Sequence, residues 1–135
     1  MTYTLSTTID LQWAEALDRT RDALSAQGFG ILTEIDVRST FDVKLGAEAA
    51  EAVGDYVILG ACNPALASRA LAAEPEIGAL LPCNVVVRRS KDAETTIIEA
   101  VDPQTMVDLS ASLAVKEVAD DAGNRLRKAL AALSS

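Results

Sequence analysis

Residues 56–87 of this 135-residue chain read YVILGACNPALASRALAAEPEIGALLPCNVVV, and this stretch decides the fold. It begins and ends with a short continuous apolar run, which is typical of a buried β-strand. Between the two runs lies an Ala- and Leu-rich segment that predicts a helix capped by Asn63 and begun by Pro64. Each junction carries a cysteine beside an asparagine and near a proline, in Cys62-Asn63-Pro64 and Pro82-Cys83-Asn84.

The segments on either side of this stretch predict the remaining elements. β-branched residues and alternation predict strands over 2–8, 30–37, 84–90 and 95–101. Apolar residues at helical spacing predict a first helix that Asp10 caps and a last helix that runs to the end, with a break near Leu109-Ser110. Residues 39–53 predict a short helix and a loop.

The order of these elements predicts the fold class. Because most of the strands are joined by short links, the expected fold is α+β, with an antiparallel sheet of about five strands. Helices should cover one face of this sheet, and the C-terminal helix is an addition to the basic pattern. The length fits a single domain over residues 1–135. Since the strands carry apolar residues on both faces, the uncovered face predicts a homodimer.

Composition and charge exclude several classes of function. The net charge of −8 argues against nucleic-acid binding, which needs a concentrated basic surface. No apolar run is long enough to span a bilayer, and the N-terminus lacks the pattern of a signal peptide. A cytoplasmic location is therefore expected, and in that compartment the two cysteines should be thiols.

The sequence contains no histidine, which removes Ser-His-Asp and Cys-His catalysis. Two cysteines alone cannot form a four-thiolate metal site within one chain, so any metal would have to use Cys62 and Cys83 with other ligands or a second copy. Gly28-Phe29-Gly30 is too short for a dinucleotide-binding loop. The sequence indicates no cofactor and favours a non-enzymatic protein over an enzyme.

The candidate site lies where the two central strands meet the capped helix. If those strands are antiparallel neighbours, Cys62 and Cys83 lie at the same sheet edge near a helix N-terminus, where a thiolate has a lowered pKa. The candidate residues are Cys62, Asn63, Pro64, Pro82, Cys83 and Asn84, with Lys44 as a cation that could reach an anionic ligand. The alternative is that the cysteines are inert core residues and that Lys44 extends to water.

The quoted stretch, the segment FDVKLG at 41–46 and the strand that ends at Asp102-Pro103 together resemble the DUF302 family, a domain of unknown function. The resemblance spans the first strand to about Leu109 and does not extend to the C-terminal helix. It implies a β-α-β(4)-α fold, arranged like TATA-binding protein, that forms dimers in crystals. It implies no known reaction.

Two classes of function therefore remain open at this stage. The favoured class is a non-enzymatic module that binds a small molecule, or acts in a stress response, through a pocket near the two cysteines. The alternative is a thiol-redox protein or a soft-metal (copper or zinc) protein that uses Cys62 and Cys83. The missing Cys-x-x-Cys spacing counts against redox cycling.

Overall fold

A computed structural model of the protein describes residues 2–134 and contains a five-stranded antiparallel sheet in the order β1-β5-β4-β3-β2. The strands are β1 (Thr4–Ile9), β2 (Gly30–Asp36), β3 (Asp55–Cys62), β4 (Cys83–Arg89) and β5 (Thr96–Val101). The helices are α1 (Trp13–Ala26), α2 (Val37–Leu45), α3 (Ala47–Val53), α4 (Pro64–Ala73), a 3-10 helix (Pro75–Leu80), α5 (Gln104–Leu109) and α6 (Leu113–Ser134). The predicted α+β fold is confirmed.

One face of the sheet carries the main core. Successive side chains of a strand point to opposite faces, so Val57, Leu59 and Ala61 of β3 share this face and are buried. Helices α1 and α6 cover it, and their apolar stripes belong to the same cluster. The stripe predicted for the last helix is buried at each of its six positions, which are Val115, Ala119, Ala122, Leu126, Leu130 and Leu133.

A second, smaller core lies beyond one end of the sheet. It is formed by α4, the 3-10 helix, α5 and the first half of α6, through buried residues that include Leu66, Ile77, Met106 and Val118. Helix α6 therefore contributes to both cores, because its 22 residues extend well past the sheet. The two cores flank the ends of β3 and β4, where the quoted stretch turns.

The opposite face of the sheet is only half-buried. It carries Tyr56, Ile58, Val86 and Ile97 on the three adjacent strands β3, β4 and β5. Arg88 and Glu99 form an ion pair on this face, with Arg88 Nε donating to Glu99 Oε1 at 2.6 Å. The central part of this face is therefore apolar around one ion pair, while the edge strand β1 adds Thr4, Ser6 and Thr8.

The structure corrects two local predictions. The N-cap of α1 is Gln12, not Asp10, because β1 continues to Ile9 and the chain needs the next residues to turn. Arg89 stabilises that turn by donating from Nη1 to the Leu11 carbonyl at 2.9 Å. Residues 39–53 are more helical than expected: they lie in α2 and α3, which meet at Gly46.

Within residues 2–134, none of the helices combines the length and the apolarity that crossing a membrane requires.

A candidate ligand cavity at the ends of strands β3 and β4

The junction between β3 and α4 is built as the sequence predicts. Asn63 is the N-cap of α4, and its Oδ1 accepts a hydrogen bond from the backbone nitrogen of Leu66 at 3.2 Å. Pro64 occupies the first turn of the helix. Backbone N–H groups there have no partner within the helix, so the missing N–H of proline costs no hydrogen bond. This cap fixes the direction in which α4 leaves the sheet, and it directs the apolar side of α4 towards the second core.

A cavity of about 320 Å³ lies between the ends of β3 and β4 and the second core. Its walls come from both central strands, from α4 and the 3-10 helix, and from α5 and α6, and they are almost entirely apolar. The lining residues are Phe29, Leu32, Ala61, Cys62, Asn63, Leu66, Ala67, Ala70, Leu71, Gly78, Leu81, Pro82, Cys83, Met106, Val118 and Ala122.

Four of the seven predicted site residues line this cavity: Cys62, Asn63, Pro82 and Cys83. The other three do not lie among the lining residues. Pro64 is exposed at the start of α4, Asn84 is exposed on β4, and Lys44 is exposed in the last turn of α2. The structure thus brings together the two strand–helix junctions but not the cation.

The two cysteines differ sharply in environment. Cys83 is 8% exposed, and burial raises the pKa of its thiol from 9.0 to about 11, with a smaller contribution from the charge of Cys62. The thiol of Cys83 is therefore protonated at neutral pH. Proximity to a helix N-terminus was expected to lower a thiol pKa here; for Cys83 the loss of hydration dominates instead. Cys62 is only half-buried.

The structure does not support the alternative in which the two cysteines form a pair: both are free thiols and they are not joined. The register explains this result. Cys83 lies opposite Ala61, so Cys62 is offset by one residue from the position that pairs with Cys83. Neighbouring residues of a strand direct their side chains to opposite faces of the sheet. The topology thus brings both cysteines to one end of the sheet without aligning their side chains for a disulfide.

Most of the cavity wall consists of ordinary apolar residues such as Phe29, Met106 and Val118, which carry no sequence pattern of a binding site. Helical periodicity identified Ala122 as a core position but gave no sign that the space beside it is empty. A short side chain at that position, together with Ala67 and Ala70 on α4, leaves the gap. The run of alanines in the quoted stretch was the only signal of it.

Asn63 carries the one amide side chain among the lining residues. Because its Oδ1 is used by the cap, Nδ2 is left as a donor. Gly28, which adopts a positive φ of 86°, leaves room for that amide: a Cβ there would lie 3.0 Å from Asn63 Nδ2. The same Cβ would lie 3.1 Å from Arg125 Nη1, and Arg125 is paired with Asp121 at 2.7 Å and donates to the Gln27 carbonyl at 2.9 Å.

In the part of the chain that the structure describes, there is no cluster of three or more Cys, Asp or Glu side chains that could hold a metal ion.

Comparison with known proteins agrees with this architecture. The sequence pattern of the family described as "Domain of unknown function DUF302" matches residues 5–133. No curated protein matches the chain. A solved structure, that of an uncharacterized conserved DUF302 protein from Bacillus stearothermophilus, is similar with a TM-score of 0.85 and 28% sequence identity, over 98% of this chain and 99% of that chain. Both matches include α6, so the resemblance extends further than the predicted limit near Leu109.

Proposed function

The chain belongs to the DUF302 family, and from that premise we propose that it is a non-enzymatic module that binds a small molecule in the cavity beside Cys62, Asn63, Pro82 and Cys83. One observation carries this proposal. The cavity of about 320 Å³ is of the size that ligand sites have, and its mostly apolar wall with a few polar groups is typical of them.

The same lining argues against catalysis at this place. Among its described residues the only titratable side chains are the two thiols, and burial keeps that of Cys83 protonated at neutral pH. Neither a general base nor a carboxylate lies in the wall to activate a nucleophile. Binding without chemistry is the function that this set of side chains supports best.

The proposal is tested with two fluorescent probes that share one scaffold, N-phenyl-1-naphthylamine and its sulfonated analogue 8-anilinonaphthalene-1-sulfonate. We expect at least one of them to bind the protein saturably and to gain fluorescence. Ala67→Phe should abolish that signal, because Ala67 lines the cavity and a phenyl ring would fill it. Ala72→Phe is the matched control, since Ala72 is exposed on the same helix and does not line the cavity.

If neither probe binds the wild-type chain, or if both alanine variants bind alike, the cavity is not the ligand site. Thermal unfolding of each variant establishes whether it is folded. Should Ala67→Phe prove unstable, the flexible side chain of Ala67→Met occupies part of the same space at a lower packing cost.

We further propose that the half-buried face of the sheet joins two copies of the chain. Tyr56, Ile58, Val86 and Ile97 supply apolar area on three adjacent strands. Burying such a face against its own copy is the usual solution for a sheet that has helices on one side only.

A further inference from the structure

We propose that the ligand of the cavity is an uncharged, largely hydrocarbon molecule, held by its apolar body and not by an ionic head group. This inference rests on the proposed binding function and deepens it by naming the chemical class of the ligand. It follows from what the wall of the cavity contains and from what the nearby charged groups already bind.

The wall offers no counter-charge. Every described lining residue is apolar except Asn63 and the two cysteines. An ionised ligand would lose its hydration on entry and would find no side chain of opposite charge in contact with it. Uncompensated burial of a carboxylate or an ammonium group is strongly unfavourable, whereas the same transfer from water is favourable for a hydrocarbon.

Arg125 is a candidate for anion binding because it lies close to Asn63 beside Gly28, but its donors already bind other groups. Its Nε donates to Asp121 Oδ1 at 2.7 Å, and its Nη1 donates to the Gln27 carbonyl at 2.9 Å at the end of α1. Asp121 cancels its charge locally, and Arg125 is not part of the lining. The arginine therefore joins α1 to α6 and leaves the cavity electrically neutral.

The polar groups that do line the cavity suit a neutral ligand. The protonated thiol of Cys83 carries no charge at neutral pH, and Asn63 Nδ2 can donate one hydrogen bond. A hydroxyl or carbonyl oxygen at one end of the ligand would accept that bond. An apolar cavity of roughly 150 Å³ accommodates benzene, so about 320 Å³ has room for a molecule of two or three rings or for a medium-length chain.

The test compares ligands that share a hydrocarbon body and differ in whether the head group is charged. N-phenyl-1-naphthylamine serves as the reporter, and 1-decanol and sodium decanoate compete for its site at pH 8, where the carboxylate is ionised. We expect 1-decanol to displace the reporter at a concentration at least tenfold lower than decanoate does. The reporter itself should bind at least tenfold more tightly than its sulfonated analogue. Ala67→Phe should remove all of these signals, and Ala72→Phe should preserve them.

The outcomes separate the two proposals. If decanoate competes as well as 1-decanol, or if the sulfonated probe binds more tightly, the ligand class is wrong while the cavity remains a binding site. If no probe binds the folded wild-type chain, the proposed function itself fails. If both probes bind equally to Ala67→Phe and to the wild type, binding takes place elsewhere and both proposals are overturned.

Discussion

Cys83 lies directly opposite Ala61 in the antiparallel pair formed by β3 and β4. Ala61 is fully buried on the face that α1 and α6 cover, and Cys83 shares that face at 8% exposure. The side chain of Cys62, the next residue along β3, leaves the strand on the opposite face of the sheet and is half-buried. A shift of one residue in the register thus gives two cysteines of the same cavity different chemical environments.

Alkylation should distinguish these two thiols. At pH 8 we expect iodoacetamide to modify Cys62 in the native protein at least tenfold faster than Cys83, because reaction requires both access and the thiolate form. Peptide mapping by mass spectrometry measures the two rates separately. Cys62→Ser should leave only slow labelling, and Cys83→Ser should leave the fast phase intact. Equal rates in the folded protein would contradict the burial of Cys83.

The raised pKa of Cys83 predicts a loss of stability in alkaline solution. Because the folded chain holds this proton more tightly than the unfolded chain does, the contribution is fully present below pH 9 and is lost as the pH rises to about 11. A shift of two pKa units corresponds to roughly 2–3 kcal/mol in the free energy of unfolding, and residual exposure reduces that figure.

Urea unfolding of the wild type and of Cys83→Ala at pH 8, 10 and 11 measures this effect. The free energy of unfolding should fall more steeply with pH for the wild type than for the variant, since lysines and tyrosines titrate equally in both. Parallel curves would show that the thiol of Cys83 ionises normally in the folded state.

The cap on α4 predicts the effect of removing Asn63. Asn63→Ala should lower the free energy of unfolding by about 1 kcal/mol, because the backbone nitrogen of Leu66 loses its acceptor. Asn84→Ala is the control: Asn84 also neighbours a cysteine, but it is exposed on β4, and its replacement should cost less than about 0.5 kcal/mol. An equal loss in the two variants, measured by urea unfolding, would indicate that the cap contributes little.

Gly60 on β3 is required by a close approach of side chains. A Cβ at this position would collide with the Thr33 hydroxyl and would lie 2.9 Å from the Pro82 Cγ. The threonine can rotate, but the proline ring cannot, so Gly60→Ala should displace Pro82 and lower the free energy of unfolding by roughly 1–3 kcal/mol. In contrast, a Cβ at Gly30 would come no nearer than 3.9 Å to the Cys62 carbonyl.

Thermal unfolding of Gly60→Ala and Gly30→Ala therefore tests the packing at this corner. We expect a clear decrease in the midpoint for the first variant and little change for the second. Since Pro82 lines the cavity, Gly60→Ala should also weaken binding of N-phenyl-1-naphthylamine. A Gly60→Ala protein as stable as the wild type would show that Pro82 has room to move.

The features that the sequence predicted well are those set by local pattern. Helical spacing identified the buried stripe of α6, and the Asn63-Pro64 pair identified the start of α4. Antiparallel pairing of the two central strands followed from their order along the chain. The two helix features depend on residues that are close in sequence, whereas the strand pairing joins more distant residues, from Ala61 with Cys83 to Asp55 with Arg89.

What the sequence could not predict depends on distances between elements. The cavity exists because alanines on α4 and α6 face each other across the second core, and no single segment reveals that gap. The separation of Cys62 from Cys83 depends on a register that differs by one residue from the one that would align them. Lys44 was a candidate because it is a lone cation in an otherwise apolar stretch, and it lies exposed on α2.

The last prediction concerns the oligomeric state and rests on the half-buried face of the sheet. Val86 lies at its centre, opposite Ile58 on β3 and opposite Glu99 on β5. Glu99 is already paired with Arg88 at 2.6 Å. If two copies meet through this face, Val86→Lys would therefore add a charge to the contact without a free partner, which is strongly unfavourable. We expect the wild type to sediment as a dimer and Val86→Lys to sediment as a monomer with its fold intact. Ser68→Lys, the same change in charge on the exposed side of α4, should remain dimeric. A wild-type chain that sediments as a monomer throughout the micromolar range would overturn this proposal and leave the cavity proposal unaffected.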